Sequence, residues 1–284
     1  VNIHEENPYK GTRAYSKEDA ILLLKAAKEL GCNLVRLAHY PHSENMVKEA
    51  EKMGLMVWSE IPVYQQIDFA DSTVPAKMEA MLRDMIRRDK NRCGIIIWSL
   101  SNETNPRTPR NNALIELTQK CRTLDSARLI THAINTQRYQ NNTFDMWDTL
   151  YRYVDIISIN EYLGWYVPWQ GKPSDVKWNV VCSDKPVFIS EFGGEALYGN
   201  NSRPTDEAAN WTEGYQAKIY TDQIEMFKTV PNLCGICPWL LFDYRSPKRM
   251  HPVYQKGYNR KGLLSEKGEK KKAWYIMNEY YKKR

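Results

Sequence analysis

The sequence predicts an α/β fold, a (β/α)8 TIM barrel formed by a single domain with a truncated first strand. Three observations carry that expectation. Short, apolar, β-branched runs alternate with helix-period segments along all 284 residues, the pattern of a parallel sheet with crossover helices. Seven such runs and a stub at residues 1–4 make eight strands, and one barrel of about 250 residues fits the length. The runner-up, an open doubly wound sheet, usually announces itself by a glycine-rich turn after its first strand. Neither Gly-x-Gly-x-x-Gly nor the P-loop pattern occurs here.

After the stub, Ser16 and the acids Glu18 and Asp19 open a helix over 20–30 that Gly31 closes. A strand at 33–37 leads to a helix over 44–53 stopped by Gly54, and then to a strand at 55–59. Helices at 75–90 and 111–124 flank a strand at 94–100, and a strand at 128–133 follows. A helix near 144–153, a strand at 154–159 and a weaker helical candidate at 174–182 come next. Strands at 186–190 and 234–241 alternate with helices at 210–229 and 270–283. No linker divides the chain, so residues 1–284 are expected to be one domain. The run Glu266–Lys272 reads as a solvated helix start.

With 42% hydrophobic and 26% charged residues the chain is globular, which excludes fibrous and disordered classes. Forty basic against 34 acidic side chains give +6, too small an excess to call for nucleic acid. No apolar run approaches the roughly 18–20 residues of a membrane span, so no membrane partner is expected. Val1–Glu6 has neither an initiator Met nor a signal-peptide layout, so the chain reads as a fragment and its localisation stays open. The six cysteines are expected to be mostly buried thiols. The pair Cys234 and Cys237 has redox spacing but lies in a strand-like run, a poor place for a reactive thiolate.

In such a barrel, chemistry gathers at the C-terminal ends of the strands. Those ends hold Arg36 and His39-Tyr40-Pro41-His42, Glu60, Asn102-Glu103, Asn160 to Tyr166, Glu191 and Trp239. Polar, acidic and aromatic groups at so many ends are more than a scaffold requires. Glu103 and Glu191, on strands four and seven, face each other across the mouth. Two carboxylates about 5–5.5 Å apart serve retaining glycoside hydrolysis as nucleophile and acid/base, and nine Trp with 18 Tyr offer platforms for a sugar.

At these residues the chain resembles the catalytic barrel of glycoside hydrolase family 2, the β-galactosidase and β-glucuronidase family. The similarity runs through Arg36-Leu37-Ala38-His39-Tyr40-Pro41, Gly54 to Glu60, Trp98 to Glu103, Tyr162-Leu163-Gly164-Trp165-Tyr166 and Phe188 to Gly193, in the family's order. Full-length family members carry β-sandwich domains ahead of the barrel, which residues 1–284 are expected not to include. The resemblance implies a retaining, exo-acting β-glycosidase with Glu191 as nucleophile and Glu103 as acid/base. Asn102 would bind the 2-hydroxyl, Tyr162 would hydrogen-bond Glu191, and Trp239 would floor the sugar site. Tyr166 belongs with the substrate-binding set. Arg36, His39 and Glu60 either touch sugar or buttress the mouth, and His4 and Glu5 are weaker candidates. Trp165 is read as packing. The mechanism needs no metal or cofactor, and the partner expected is a carbohydrate substrate; oligomeric state is not legible.

Asn259-Arg260-Lys261-Gly262 matches the Asn-x-Lys motif with which β-glucuronidases hold a substrate carboxylate. The loop before it adds Arg245, Lys248 and Arg249. A similar run occurs in β-galactosidase-like members. The expectation is therefore a β-glucuronidase, with a β-galactosidase as the alternative and a carbohydrate-binding barrel without turnover as the reading from a different class.

Overall fold

The computed structural model describes residues 1–202 and 211–283. Eight parallel strands follow one another in chain order around one sheet: β1 (Asn2–Ile3), β2 (Leu34–Leu37), β3 (Met56–Glu60), β4 (Ile95–Asn102), β5 (Leu129–Ile134), β6 (Ile157–Asn160), β7 (Val187–Glu191) and β8 (Leu233–Ile236). The sheet comes round on itself just past β8. There the Asn2 N–H donates to the Pro238 carbonyl at 3.2 Å, and the Leu241 N–H donates to the Asn2 carbonyl at 3.0 Å. The Asn2 side-chain amide also donates to the carbonyls of Ser190, Cys237 and Pro238, so a two-residue β1 is pinned to β7 and to the segment just past β8. This is the expected (β/α)8 barrel. Strand β8 ends at Ile236, not at 241, because Pro238 has no N–H to give a ladder.

Outside the sheet pack α1 (Lys17–Leu30), α2 (Glu44–Lys52), α3 (Thr73–Asp89), α4 (Thr108–Leu124), α5 (Glu213–Phe227) and α6 (Lys272–Lys282). Ser16 caps α1 by accepting from the Asp19 N–H, and Gly31 closes it at φ 98°, a conformation that costs glycine little. Ser43 caps α2 and Thr212 caps α5 in the same manner. The start expected for α5 at Asn210 lies outside the described residues. No helix among the described residues is long and apolar enough to cross a membrane.

Two expected helices are replaced. Residues 144–153 form a strand, Thr143–Met146, and a 3-10 turn, Thr149–Arg152; residues 174–182 form a 3-10 turn, Pro173–Asp175, and a strand, Lys177–Val180. With Arg138–Gln140 the two strands make a small three-stranded sheet, centred on Thr143–Met146. Its hairpin turns at Asn141 and Asn142, both at positive φ (51° and 54°), a conformation asparagine tolerates. Burial alternates along Thr143–Met146, and Phe144 stacks on Trp178 at 4.5 Å. Period-two patterning, not a helical period, organises this segment.

The inside of the barrel is layered. Within it, Leu34, Trp58, Ile97, Ala133, Ile156, Phe188 and Cys237 make an apolar plug. Gly235 stands beside Phe188 so closely that a Cβ there would sit 2.3 Å from the ring. Cys32, Cys121 and Cys237 are buried as expected, whereas Cys93 and Cys234 are exposed and Cys182 is half-buried; all six are free thiols.

Candidate active site

Above the plug the interior turns polar. Arg36 on β2 is fully buried and acts as a hub. Its Nε donates to Glu60 Oε2 at 2.9 Å and its Nη2 to Glu60 Oε1 at 3.2 Å. Its Nη1 reaches Glu191 Oε1 at 2.7 Å, and its Nη2 reaches Asn102 Oδ1 at 2.7 Å. Burial raises a carboxyl's pKa, but here Arg36 and His39 outweigh it and draw Glu60 down to about 2. Against the same burial, Glu60 and Glu191 hold the Arg36 guanidinium above its usual range.

Strand ends aim the two candidate catalytic carboxylates. Glu191 closes β7 and sits opposite Asn160 at a register irregularity between β6 and β7. Its Oε1 takes the Arg36 bond and lies 3.7 Å from His39 Nε2, while its Oε2 accepts from the Tyr162 hydroxyl at 2.7 Å. Burial, then the charge of Glu191, raises Tyr162 well above the ordinary phenol value, so it stays a donor. Glu103 follows β4, where the ladder to β5 is also irregular, and holds φ 52°. For a residue with a Cβ this left-handed conformation is strained and persists only where its surroundings over-determine it. Here the Glu103 N–H donates to the Ala133 carbonyl and Glu103 Oε1 accepts from Asn160 Nδ2 at 2.9 Å. Burial, and after it the Glu191 charge, raises the Glu103 carboxyl.

Asn102 Oδ1 accepts from both Arg36 and Asn160, which leaves its amide nitrogen without a hydrogen bond among the described residues. A donor presented in this way beside Glu103 suits a hydroxyl of a bound sugar.

These groups meet a cavity of about 930 Å³ at the C-terminal end of the barrel. Of the expected site residues, Glu103, Glu191, Asn102, Tyr162, Tyr166, Trp239, His39, Asn259 and Lys261 all line it. Trp239 and His39 stack at 4.8 Å, and Tyr64 lies over the other side of His39 at 5.5 Å. Lys261 Nζ bonds the Tyr166 hydroxyl at 2.6 Å, and the Asn259 side-chain oxygen accepts from the Lys261 N–H.

Of the two readings left open for Arg36 and Glu60, the geometry goes against the sugar contact under which both were placed: neither lines the cavity, and both are buried behind Glu191 and His39, a position that suits a buttress. Of the weaker pair, His4 lines the cavity against Tyr244, whereas Glu5 turns away and accepts from the Ser43 N–H. Trp165 packs edge-on against Trp211, as expected of a packing residue. Sequence reasoning named Asn160 at a strand end but gave it no role, and did not place Gln65, Tyr64 and Tyr244 in the site. Gln65 and Tyr64 follow β3 and Tyr244 sits in a two-residue strand after β8, segments whose path the chain's periodicity does not encode.

The chain matches the family described as "Glycosyl hydrolases family 2, TIM barrel domain" over residues 1–283. Among curated relatives, the β-glucuronidase of Streptococcus agalactiae is 26% identical over 313 residues, covering 99% of this chain and 50% of its own length. The β-glucuronidase of Rattus norvegicus is 27% identical over 295 residues, covering 99% of this chain and 43% of its own. The crystal structure of a GH2 β-galacturonidase from Eisenbergiella tayi, bound to galacturonate, has the same fold, with a TM-score of 0.83 over all of this chain and half of its own, at 22% identity. The chain spans about half the length of the curated relatives it matches.

Proposed function

This chain belongs to glycosyl hydrolase family 2, and on that premise we propose that residues 1–284 form the catalytic barrel of a retaining, exo-acting β-glycosidase that prefers β-linked uronides, β-glucuronides first. The observation that carries the reading is the presence of Lys261 and Asn259 in the wall of the same cavity as Glu103 and Glu191. The names of the relatives, uronidases of three organisms, point the same way.

In the proposed reaction Glu191 attacks the anomeric carbon and forms a glycosyl ester. Arg36 and Tyr162 hydrogen-bond its two oxygens and so hold the carboxylate in place for the attack. Glu103, its carboxyl raised, gives its proton to the leaving oxygen. Once Glu191 is esterified its charge is gone. One of the two causes that hold the Glu103 proton is removed, and Glu103 can then take a proton from the incoming water. Asn102 holds the 2-hydroxyl, where contacts strengthen as the oxocarbenium-like transition state forms. Trp239 is the apolar floor, and Lys261, Asn259 and Tyr166 receive the C6 carboxylate.

The test is a panel of p-nitrophenyl β-D-glucuronide, β-D-galacturonide, β-D-galactoside, β-D-glucoside and β-D-mannoside, with proton NMR of the first-formed anomer. Uronide turnover with retained configuration is expected. Preference for the galactoside would return the neutral-sugar reading, and sugar binding without release from any substrate would make the barrel a binding module.

A further inference from the structure

Glu195 lies four residues past Glu191, and its side chain is completely buried. It gathers donors from three separate segments. Arg249 Nη1 reaches Oε1 at 3.0 Å, Gln255 Nε2 reaches Oε2 at 2.9 Å, and Trp211 Nε1 and the Arg260 N–H each reach Oε2 at 3.2 Å. Lys261 Nζ stands 3.6 Å from Oε1. Both cations turn their other side to one atom, the Tyr166 hydroxyl, at 2.6 Å from Lys261 and 3.1 Å from Arg249.

The charges do not balance. Glu195 is the one carboxylate that Arg249 or Lys261 contacts among the described residues, so two positive charges share a single negative one at the cavity wall. Neutral sugars give that surplus nothing to pair with; a carboxylate cancels it. The two cations also differ in kind. Lys261 is a buried point charge, whereas Arg249, a third exposed, lines the cavity with a planar fork suited to a bidentate carboxylate. Of the three cations in the loop after β8, Arg249 alone bonds to Tyr166, and Arg245 is drawn away toward Glu6.

We infer that Arg249 is a second cationic ligand of the substrate's C6 carboxylate beside Lys261, and that Glu195 is the positioning residue that holds both cations on that spot. The inference rests on the uronide reading above and extends it to specificity-determining residues outside the Asn-x-Lys motif. It also accounts for a buried acid placed next to groups meant to receive an acid: Glu195 sits behind the cations and fixes their direction, while the cavity side stays open.

The experiment compares the unaltered protein with Arg249→Gln, Arg249→Lys and Glu195→Gln, using p-nitrophenyl β-D-glucuronide, β-D-galacturonide and β-D-glucoside. KM and kcat are read separately, and thermal unfolding is recorded for each variant. Arg249→Gln is expected to raise KM for the preferred uronide by about tenfold or more, the size of one charged hydrogen bond, and to lower the uronide-to-glucoside ratio accordingly. Arg249→Lys should recover only part, because it restores charge without the fork. Glu195→Gln should also raise the uronide KM relative to the glucoside, since the cations lose their anchor. A Glu195 that merely offsets charge predicts the reverse, tighter uronide binding on its removal, and that result overturns the positioning role. A uronide-preferring unaltered protein whose KM is unmoved in Arg249→Gln overturns the inference alone. An unaltered protein with no uronide preference overturns the uronide reading on which it stands.

Discussion

Arg36 sets one fixed positive charge against Glu60 and Glu191, and the group left behind when any member of this buried cluster is removed has nowhere to find water. Glu60→Gln keeps the Arg36–Glu191 pair but removes the charge from the bonds that Arg36 and His39 make to Glu60, and is therefore expected to destabilise the protein by about 1.5–3 kcal/mol; denaturant unfolding measures it. The same carboxyl makes stability acid-sensitive. Its folded pKa of about 2 lies below its ordinary 4.5, so its stabilising contribution is complete above pH 4.5 and is lost as pH falls from there through about 2. Unfolding free energies across that window should fall less steeply in Glu60→Gln, and an unchanged slope would remove Glu60 from the account. At Glu103, removing the Glu191 charge by Glu191→Gln should lower the carboxyl pKa while leaving it raised by burial, which carbon-detected NMR titration reads directly. Azide should restore some turnover to Glu191→Ala, with inverted product, because a small anion fits the space of the lost nucleophile. No azide rescue, together with rescue of Glu103→Ala instead, would exchange the two roles.

Among the elements, β8 depends on a missing side chain. Gly235 pairs with Phe188 of β7, and a methyl group at 235 would overlap the Phe188 ring that forms part of the barrel plug. Gly235→Ala should cost about 1–3 kcal/mol by overpacking, seen as a lower unfolding midpoint. A midpoint unchanged from the parent would mean that the ring moves aside freely. The elements also show where periodicity misleads. Amphipathic α1 and α2 were legible because Ser16, Gly31 and Gly54 punctuate them. The strands Thr143–Met146 and Lys177–Val180 were read as helix because each is a four-residue run, too short to distinguish the two periods. The turn at Asn141-Asn142 was the signal that decides between them, since two consecutive asparagines suit the positive φ of a tight hairpin.

On the scale of the whole molecule, the cavity brings two carboxylates, Glu103 and Glu191, together with the cations Arg249 and Lys261, and on the proposed reading the first pair does the chemistry and the second the recognition. Lys261→Ala should lose about 2–4 kcal/mol of transition-state stabilisation on a β-glucuronide and far less on a β-galactoside, which offers no charge to pair. Rising salt should weaken uronide turnover modestly more than galactoside turnover, since a partly enclosed pair is screened less than an exposed one. Equal losses on both sugars in kcat/KM would mean that Lys261 supports the fold of the wall and not the carboxylate. The alternation of runs, the punctuation of helices and the residue types at the strand ends were determined by the sequence alone, because each is a local property of a few neighbouring residues. Placing Glu103 and Glu191 at the mouth followed from the count of strands between them. The tertiary structure alone decided that Arg36 lies behind the cavity, bonded to partners 24 and 155 residues further along. It also decided that Glu195, Arg249 and Lys261 converge from separate loops. Such contacts depend on how loops pack and on which buried charges must find one another, and no period in the chain encodes either.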